Sequence, residues 1–290
     1  MNNPLHAAYY ADNCIADTVT VLQRRQLARD THLVRLECPE IAAQITPGQF
    51  IMVRIPDSAE PLLGRAFALY DVIHDKRSTA ACIDIVFFVI GKITRRLASV
   101  GVGERLEIWG PLGNGFVPTT AEHLIMVAGG IGQTPFLALA KECLGVQAYG
   151  IPGRQVQQSK RVSLCYGVRS ADLLTGITDF REYGVDVRIA TDDGSAGRHG
   201  LVSELLADVL TDSENSKRVV CCGPEPMMAT IATLCAKHQV ACEVSLETPM
   251  ACGMGICFSC VTQVRDDSGQ WDYQRTCVDG PVFDATKIVW

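Results

Sequence analysis

The sequence has no uninterrupted apolar run of about 20 residues, the length a membrane-spanning helix needs, and no block of basic residues. With 26 Lys and Arg against 32 Asp and Glu, its formal net charge is −6, which argues against nucleic acid as a partner. The opening residues Met1-Asn2-Asn3-Pro4-Leu5-His6 have neither a basic n-region nor an apolar h-region, so no secretory leader is expected. Internal repeats and low-complexity tracts are missing too. The thirteen cysteines are an odd number, scattered through apolar runs such as Val219-Val220-Cys221-Cys222. That is unlike a disulfide framework and suits reduced thiols in the cytoplasm. What remains is an intracellular enzyme. At 290 residues and 48% hydrophobic, it has room for two ordinary domains and a small appendage.

Four of the cysteines are not scattered. Cys252, Cys257 and Cys260 form C-x4-C-x2-C, and sixteen residues separate Cys260 from Cys277. This is the plant-type [2Fe–2S] spacing, in which three thiolates on one loop and a distant fourth hold two irons. Gly253 and Gly255 lie between the first two cysteines, where a loop wrapping a cluster must turn tightly and aim N–H groups at sulfur. Structural zinc remains an alternative, although it usually shows two short C-x2-C pairs and only one is present.

The chain reads as three parts. From 14 to 117, short β-like runs (Thr18–Leu22, His32–Leu36, Gln49–Ile55, Ile83–Val89) alternate with turns, as in a small antiparallel barrel or sandwich. One short helix is expected at Lys92–Val100. From 118 to 242 the rhythm becomes strand, helix, strand. Leu124–Ala128 leads through a glycine turn into a helix at Thr134–Leu144, with Pro135 in its first turn. Strands at Arg161–Tyr166, Val185–Ala190 and Arg218–Cys222 follow, with helices at Val202–Leu210 and Pro226–His238. This is the pattern of a Rossmann-like α/β domain with a parallel sheet. Gly145–Ser159 reads as a surface insertion without chemistry. From 243 to 290 comes the cysteine module. In it a hairpin around Asp267-Ser268-Gly269 returns Cys277 toward the other three.

Several turns have the chemistry of nucleotide sites. Gly129-Gly130-Ile131-Gly132 follows a strand and opens a helix, offering N–H groups to a pyrophosphate; an ordinary βα turn would look much the same. Cys222-Gly223-Pro224 ends a later strand on the same sheet edge, so the two turns are expected to look into one crevice. Asp192 and Asp193 end a third strand there and could meet ribose hydroxyls or simply be solvated. In the first part, Arg65 heads the strand Arg65-Ala66-Phe67-Ala68 and presents fork donors suited to a phosphate, unless it is an ordinary exposed arginine. Gly91-Lys92-Ile93-Thr94 offers N–H groups and a hydroxyl to an anion.

Taken in order with Gly110-Pro111-Leu112-Gly113-Asn114-Gly115-Phe116, Glu247-Thr248-Pro249-Met250-Ala251-Cys252-Gly253 and Cys277-Val278-Asp279-Gly280-Pro281-Val282-Phe283, these motifs resemble the ferredoxin-reductase superfamily. Within it they resemble the electron-transfer subunits of class 1B dihydroorotate dehydrogenases, from about Cys14 onward. The resemblance implies FAD on the barrel, NAD(H) on the α/β domain and [2Fe–2S] on Cys252, Cys257, Cys260 and Cys277. It assigns FAD to Arg65, Ala66, Phe67, Ala68, Val86, Phe87, Phe88, Ile93 and Thr94. It assigns NAD to Gly129, Gly130, Gly132, Gly223 and Pro224, with Cys222 beside the nicotinamide. The family's Arg-Pro-x-Ser flavin motif stands here as Arg65-Ala66-Phe67-Ala68, and its Gly-Thr as Ile93-Thr94. The resemblance further implies an FMN-binding catalytic partner in a two-plus-two heterotetramer, with electrons running from FMN through [2Fe–2S] and FAD to NAD+. A reductase subunit of another complex in the superfamily (a sulfur reductase, a hydrogenase or a ferredoxin:NADP oxidoreductase) and a zinc-stabilised binding module without turnover are the alternatives.

Overall fold

The computed structural model describes residues 11–56, 60–76, 79–118, 120–211 and 216–290; the opening residues on which the leader expectation rests lie outside them. The first part contains β1 (Ile15–Ala28), β2 (Thr31–Glu37), α1 (Pro39–Gln44), β3 (Phe50–Arg54), β4 (Arg65–Ala68), β5 (Asp71–His74), β6 (Ala80–Phe88), α2 (Lys92–Leu97) and β7 (Arg105–Leu112). The strands form one curled antiparallel sheet in the order β4-β3-β7-β1-β2-β6-β5. Alternation along β6 explains its near-complete burial. Ile83, Ile85 and Phe87 enter the barrel core, while Val86 faces the second domain.

The second part contains β8 (His123–Gly129), α3 (Phe136–Cys143), β9 (Arg161–Val168), α4 (Ile177–Glu182), β10 (Asp186–Thr191), β11 (Arg198–His199), α5 (Val202–Thr211), β12 (Lys217–Cys222), α6 (Glu225–Lys237) and β13 (Ala241–Ser245). The cysteine segment adds β14 (Val261–Arg265), β15 (Trp271–Arg275) and β16 (Val282–Asp284). The sheet order is β11-β10-β9-β8-β12-β13-β16, parallel except for β16. Every residue of β8 is buried, as a central strand covered on both faces requires. On one face α5 and α6 pack over β12 and β8. On the other, α3 and α4 share a core with Leu33, Tyr70, Val86 and Phe116 of the barrel. No helix among the described residues is long and apolar enough to cross a membrane.

The structure adds detail to three expectations. β13 straddles the expected boundary at 242, and β16 brings the cysteine segment back into the nucleotide sheet. Pro135 precedes α3 as its cap, because a 3-10 turn, Gly130–Gln133, takes up the glycine run. The segment 145–159 lies on the surface over most of its length, as expected, and also straps the two domains together. Tyr149 is buried with its hydroxyl donating to Asp71 (2.9 Å), Gln147 donates to the Val72 carbonyl (2.9 Å), and Arg154 bonds both Glu142 and the Phe116 carbonyl (2.6 Å to the latter). Gln155, Gln157 and Gln158 face solvent as the composition suggests, whereas Gln147, Tyr149 and Arg154 reach partners in the barrel and in α3.

Candidate functional site

The strand order changes direction between β8 and β12, and both glycine turns leave the sheet at that point, on its carboxyl edge. Such switch points open a crevice in doubly wound sheets. The two turns interlock tightly. A Cβ on Gly132 would lie 2.3 Å from the Cys222 carbonyl oxygen, and one on Gly129 would lie 2.8 Å from Pro224. Gly130, at φ +56, is exposed with no atom within 4 Å of where its Cβ would stand, which leaves its backbone open to a ligand's approach. The arrangement therefore fits a dinucleotide. Cys222 is half-buried there. Burial and the Glu247 carboxylate push its thiol up to about 12, against a hydrogen bond with Ser245. At neutral pH it is an uncharged thiol. Asp193 is tied up in its own loop, accepting from the Ser195 N–H and hydroxyl.

On the barrel, Arg65 is exposed and its guanidinium donates to the carbonyls of Leu63 and Gly64; no carboxylate pairs with it among the described residues. A flavin pyrophosphate could take that fork. Ala66 and Ala68 lie on the opposite face of β4 from Phe67, whose ring sits in the barrel core 5.7 Å from that of Phe87. Both rings are thus structural. Val86 and the half-buried Phe88 share the other face of β6. Ile93 is buried, and the Thr94 hydroxyl accepts from the N–H groups of Ile90 (3.0 Å) and Gly91 (2.9 Å). Thr94 therefore braces its own turn.

The four cysteines form two pairs. The Cys260 and Cys277 sulfurs are 3.2 Å apart and buried, and Cys252 and Cys257 share one loop, where the Cys252 sulfur accepts from the Met254 N–H at 3.3 Å. Cys257 is exposed, and the Ser259 hydroxyl, 3.1 Å away, holds its thiol down to about 6. Cys260 is likewise lowered to about 6 by the Cys277 thiol, which is itself raised by sharing its proton. A two-iron cluster needs one pair of thiolates at each end, so this arrangement fits it. A single tetrahedral zinc needs four sulfurs around one point, and no such convergence of three or more ligands exists among the described residues. Gly253, Gly255 and Phe258, all with positive φ, shape the loop.

The segment sits on the barrel. Phe50, Met52 and Leu112 share a core with Met250, Cys260, Cys277 and Val278. The Asn114 side chain accepts from the Val282 N–H and donates to its carbonyl, so the Gly110–Gly115 turn holds the segment's return. Trp109, which the sequence reading did not single out, donates from Nε1 to the Cys252 carbonyl at 2.8 Å. A lone tryptophan in an alternating strand carries no signal of that role.

Comparison with known proteins agrees with this architecture. Residues 18–116 match an oxidoreductase FAD-binding domain, 126–233 an oxidoreductase NAD-binding domain, and 247–289 the iron-sulfur cluster binding domain of dihydroorotate dehydrogenase B. Over 271 residues the chain is 34% identical to the dihydroorotate dehydrogenase B (NAD(+)) electron transfer subunit of Desulforamulus reducens, covering 93% of this chain and 97% of that one. The Aquifex aeolicus homolog of that subunit is 32% identical, with 93% and 96% covered. Among solved structures, an NADH-dependent reduced ferredoxin-NADP oxidoreductase superimposes with a TM-score of 0.76 at 24% identity, covering 94% of this chain and 90% of that one, which shows the shared fold. The chain belongs to the family of dihydroorotate dehydrogenase B electron transfer subunits.

Proposed function

We propose that this chain is the electron-transfer subunit of a cytoplasmic complex in which an FMN-binding partner oxidises dihydroorotate to orotate and the electrons reach NAD+, two copies of each subunit forming a heterotetramer. The observation that carries the reading is the seating of the paired cysteines on the same barrel that presents Arg65, in one chain with interlocked glycine turns at a sheet switch point. When bound, FAD exchanges electrons in pairs with a nicotinamide and singly with [2Fe–2S], which is why the three groups belong together.

In this reading Arg65 grips the flavin pyrophosphate. Ala66 and Ala68 give the flavin a bed of small side chains, Val86 and Phe88 border it from β6, and Phe67 and Phe87 contribute backbone alone, their rings lying in the barrel core. Thr94, next to Ile93, braces the turn that lies against the phosphates, its hydroxyl taking the N–H groups of Ile90 and Gly91. Gly129, Gly130, Gly132, Gly223 and Pro224 hold NAD, and Cys222 flanks the nicotinamide as a neutral contact. Cys252 with Cys257, and Cys260 with Cys277, ligate the cluster. No general acid or base is required of this chain. Next to the cysteine loop, Ile256 and Phe258 are 66% and 61% exposed, and Trp271 and Tyr273 stand out from the hairpin. Such a patch is where the partner subunit docks.

The test is anaerobic addition of NADH to the purified chain. Bleaching of the flavin band followed by loss of the cluster's visible absorbance is expected, and a Cys257→Ser protein should keep the first change and lose the second. A fully loaded protein in which NADH reduces nothing would refute the reading.

A further inference from the structure

We propose that Trp109 is a positioning residue: a strut that holds the cysteine loop at a set distance from the flavin-bearing strand of the barrel. The inference deepens the reading above, since it takes β4 as that strand and Cys252 as a cluster ligand. Two contacts of one side chain, and its place in the sheet register, carry it. The indole N–H donates to the Cys252 carbonyl at 2.8 Å. The far edge of the same ring lies so close to Gly64 that a Cβ there would stand 2.6 Å from Cη2, one residue ahead of Arg65. In the sheet register Trp109 pairs with Met52, and Met52 pairs with Ala66 of β4. Met52 also touches the loop, since a Cβ on Gly253 would stand 2.7 Å from its Cγ.

Cross-strand partners put their side chains on one face of a sheet. Ala66, Met52 and Trp109 therefore form a packed row running from the flavin motif to the first cysteine, and the row ends in a directional bond. An indole is large, rigid and a donor only, so it fixes both a distance and an orientation. The loop needs such a fixture. Its other bonds are internal to the cysteine segment: Ser259 Oγ accepts from the Ala251 N–H, and Arg275 donates to the Gly255 carbonyl. Electron transfer slows exponentially as the gap between two centres widens, so a loop free to drift from the flavin strand slows it.

The test compares Trp109→Phe, which keeps a ring against Gly64 and deletes the donor, with Trp109→Ala, in the full chain as purified with its cofactors. Hydrogen exchange of the amides in 251–259 should quicken by about five- to tenfold in Trp109→Phe, while the hairpin of β14 and β15 keeps its wild-type exchange. After NADH addition, the lag between flavin and cluster bleaching should lengthen severalfold. Wild-type exchange across 251–259 in Trp109→Phe overturns the proposal. So does a quickening spread equally over the hairpin, which would mark a merely structural role. Should Trp109→Ala not fold, Trp109→Phe decides alone. A wild-type protein whose cluster never bleaches refutes the underlying electron route instead, and the exchange measurement still judges the strut.

Discussion

Lys141 Nζ lies 2.7 Å from Asp71 Oδ2 and 2.9 Å from Oδ1, with both side chains less than a tenth exposed. Lys141 belongs to α3, the helix that the Gly130–Gln133 turn leads into, and Asp71 opens β5, three residues after the Arg65–Ala68 strand. One buried ion pair thus joins the element carrying the nucleotide turn to the one carrying the flavin motif. Tyr149 reinforces it from the strap, and the Tyr70 hydroxyl makes a parallel link to Asp179 at 2.6 Å.

Removing one partner leaves the other charge buried and unpaired, which costs about 3–5 kcal/mol, whereas replacing both by neutral groups of similar volume is often close to neutral. Asp71→Asn is therefore expected to lower the unfolding free energy by about that amount, and Asp71→Asn with Lys141→Met to recover most of it. Denaturant titration of the three proteins at neutral pH checks this. An Asp71→Asn protein as stable as wild type would show that the pair does not hold the domains.

How far the sequence reveals this arrangement depends on the range of each interaction. The βα rhythm, the glycine turns and the C-x4-C-x2-C spacing are local patterns, and each predicted strand lies within or overlaps a real one. The role of 145–159 was hidden because Tyr149 and Gln147 find their partners, Asp71 and the Val72 carbonyl, more than seventy residues away. Trp109 was hidden for the same reason, its acceptor being 143 residues on. Thr94 and Phe87 show a second limit of range. The resemblance assigns both to the flavin, and only the fold shows that capping chemistry turns the Thr94 hydroxyl toward its own turn and that strand alternation puts the Phe87 ring into the barrel core.

Gly132 tests the interlocked turns. A methyl there meets backbone, the Cys222 carbonyl, and not the flexible end of a side chain. Gly132→Ala must push the β8 and β12 turns apart, at a cost of roughly 1–3 kcal/mol. Reduction of the flavin by NADH is expected to fall by more than about tenfold, while chemical reduction by dithionite stays normal. Equal losses with both reductants would point to a damaged flavin site and count against the assignment of this turn to NAD.

His123 gives the stability a pH dependence. It is buried at the start of β8, 2.9 Å from the Ser163 hydroxyl, and burial lowers it to about 4, helped by Arg161 and Lys217. The unfolded chain takes up a proton near pH 6.5 and the folded one does not until about 4, so below 6.5 the unfolded state binds more protons. Stability should therefore fall as pH drops from 6.5 toward 4, by on the order of 2 kcal/mol after allowance for partial solvation. His123→Gln should flatten that slope in urea titrations at several pH values. An unchanged slope would place the acid sensitivity elsewhere.

Cys222 separates contact from chemistry at the nicotinamide position. Because burial raises its thiol to about 12, essentially no thiolate exists near neutrality. Two outcomes follow. Iodoacetamide at about pH 8 should leave Cys222 unmodified in the folded protein, as read by peptide mass. NADH-driven flavin bleaching should be flat between about pH 6 and 9 in wild type, and Cys222→Ser should slow it by less than about tenfold with the same flat profile, because the serine keeps a small polar group against Ser245. A rate in wild type that climbs with an apparent pKa near 8 or 9, and loses that climb in Cys222→Ser, would instead make the thiolate a participant in the reaction.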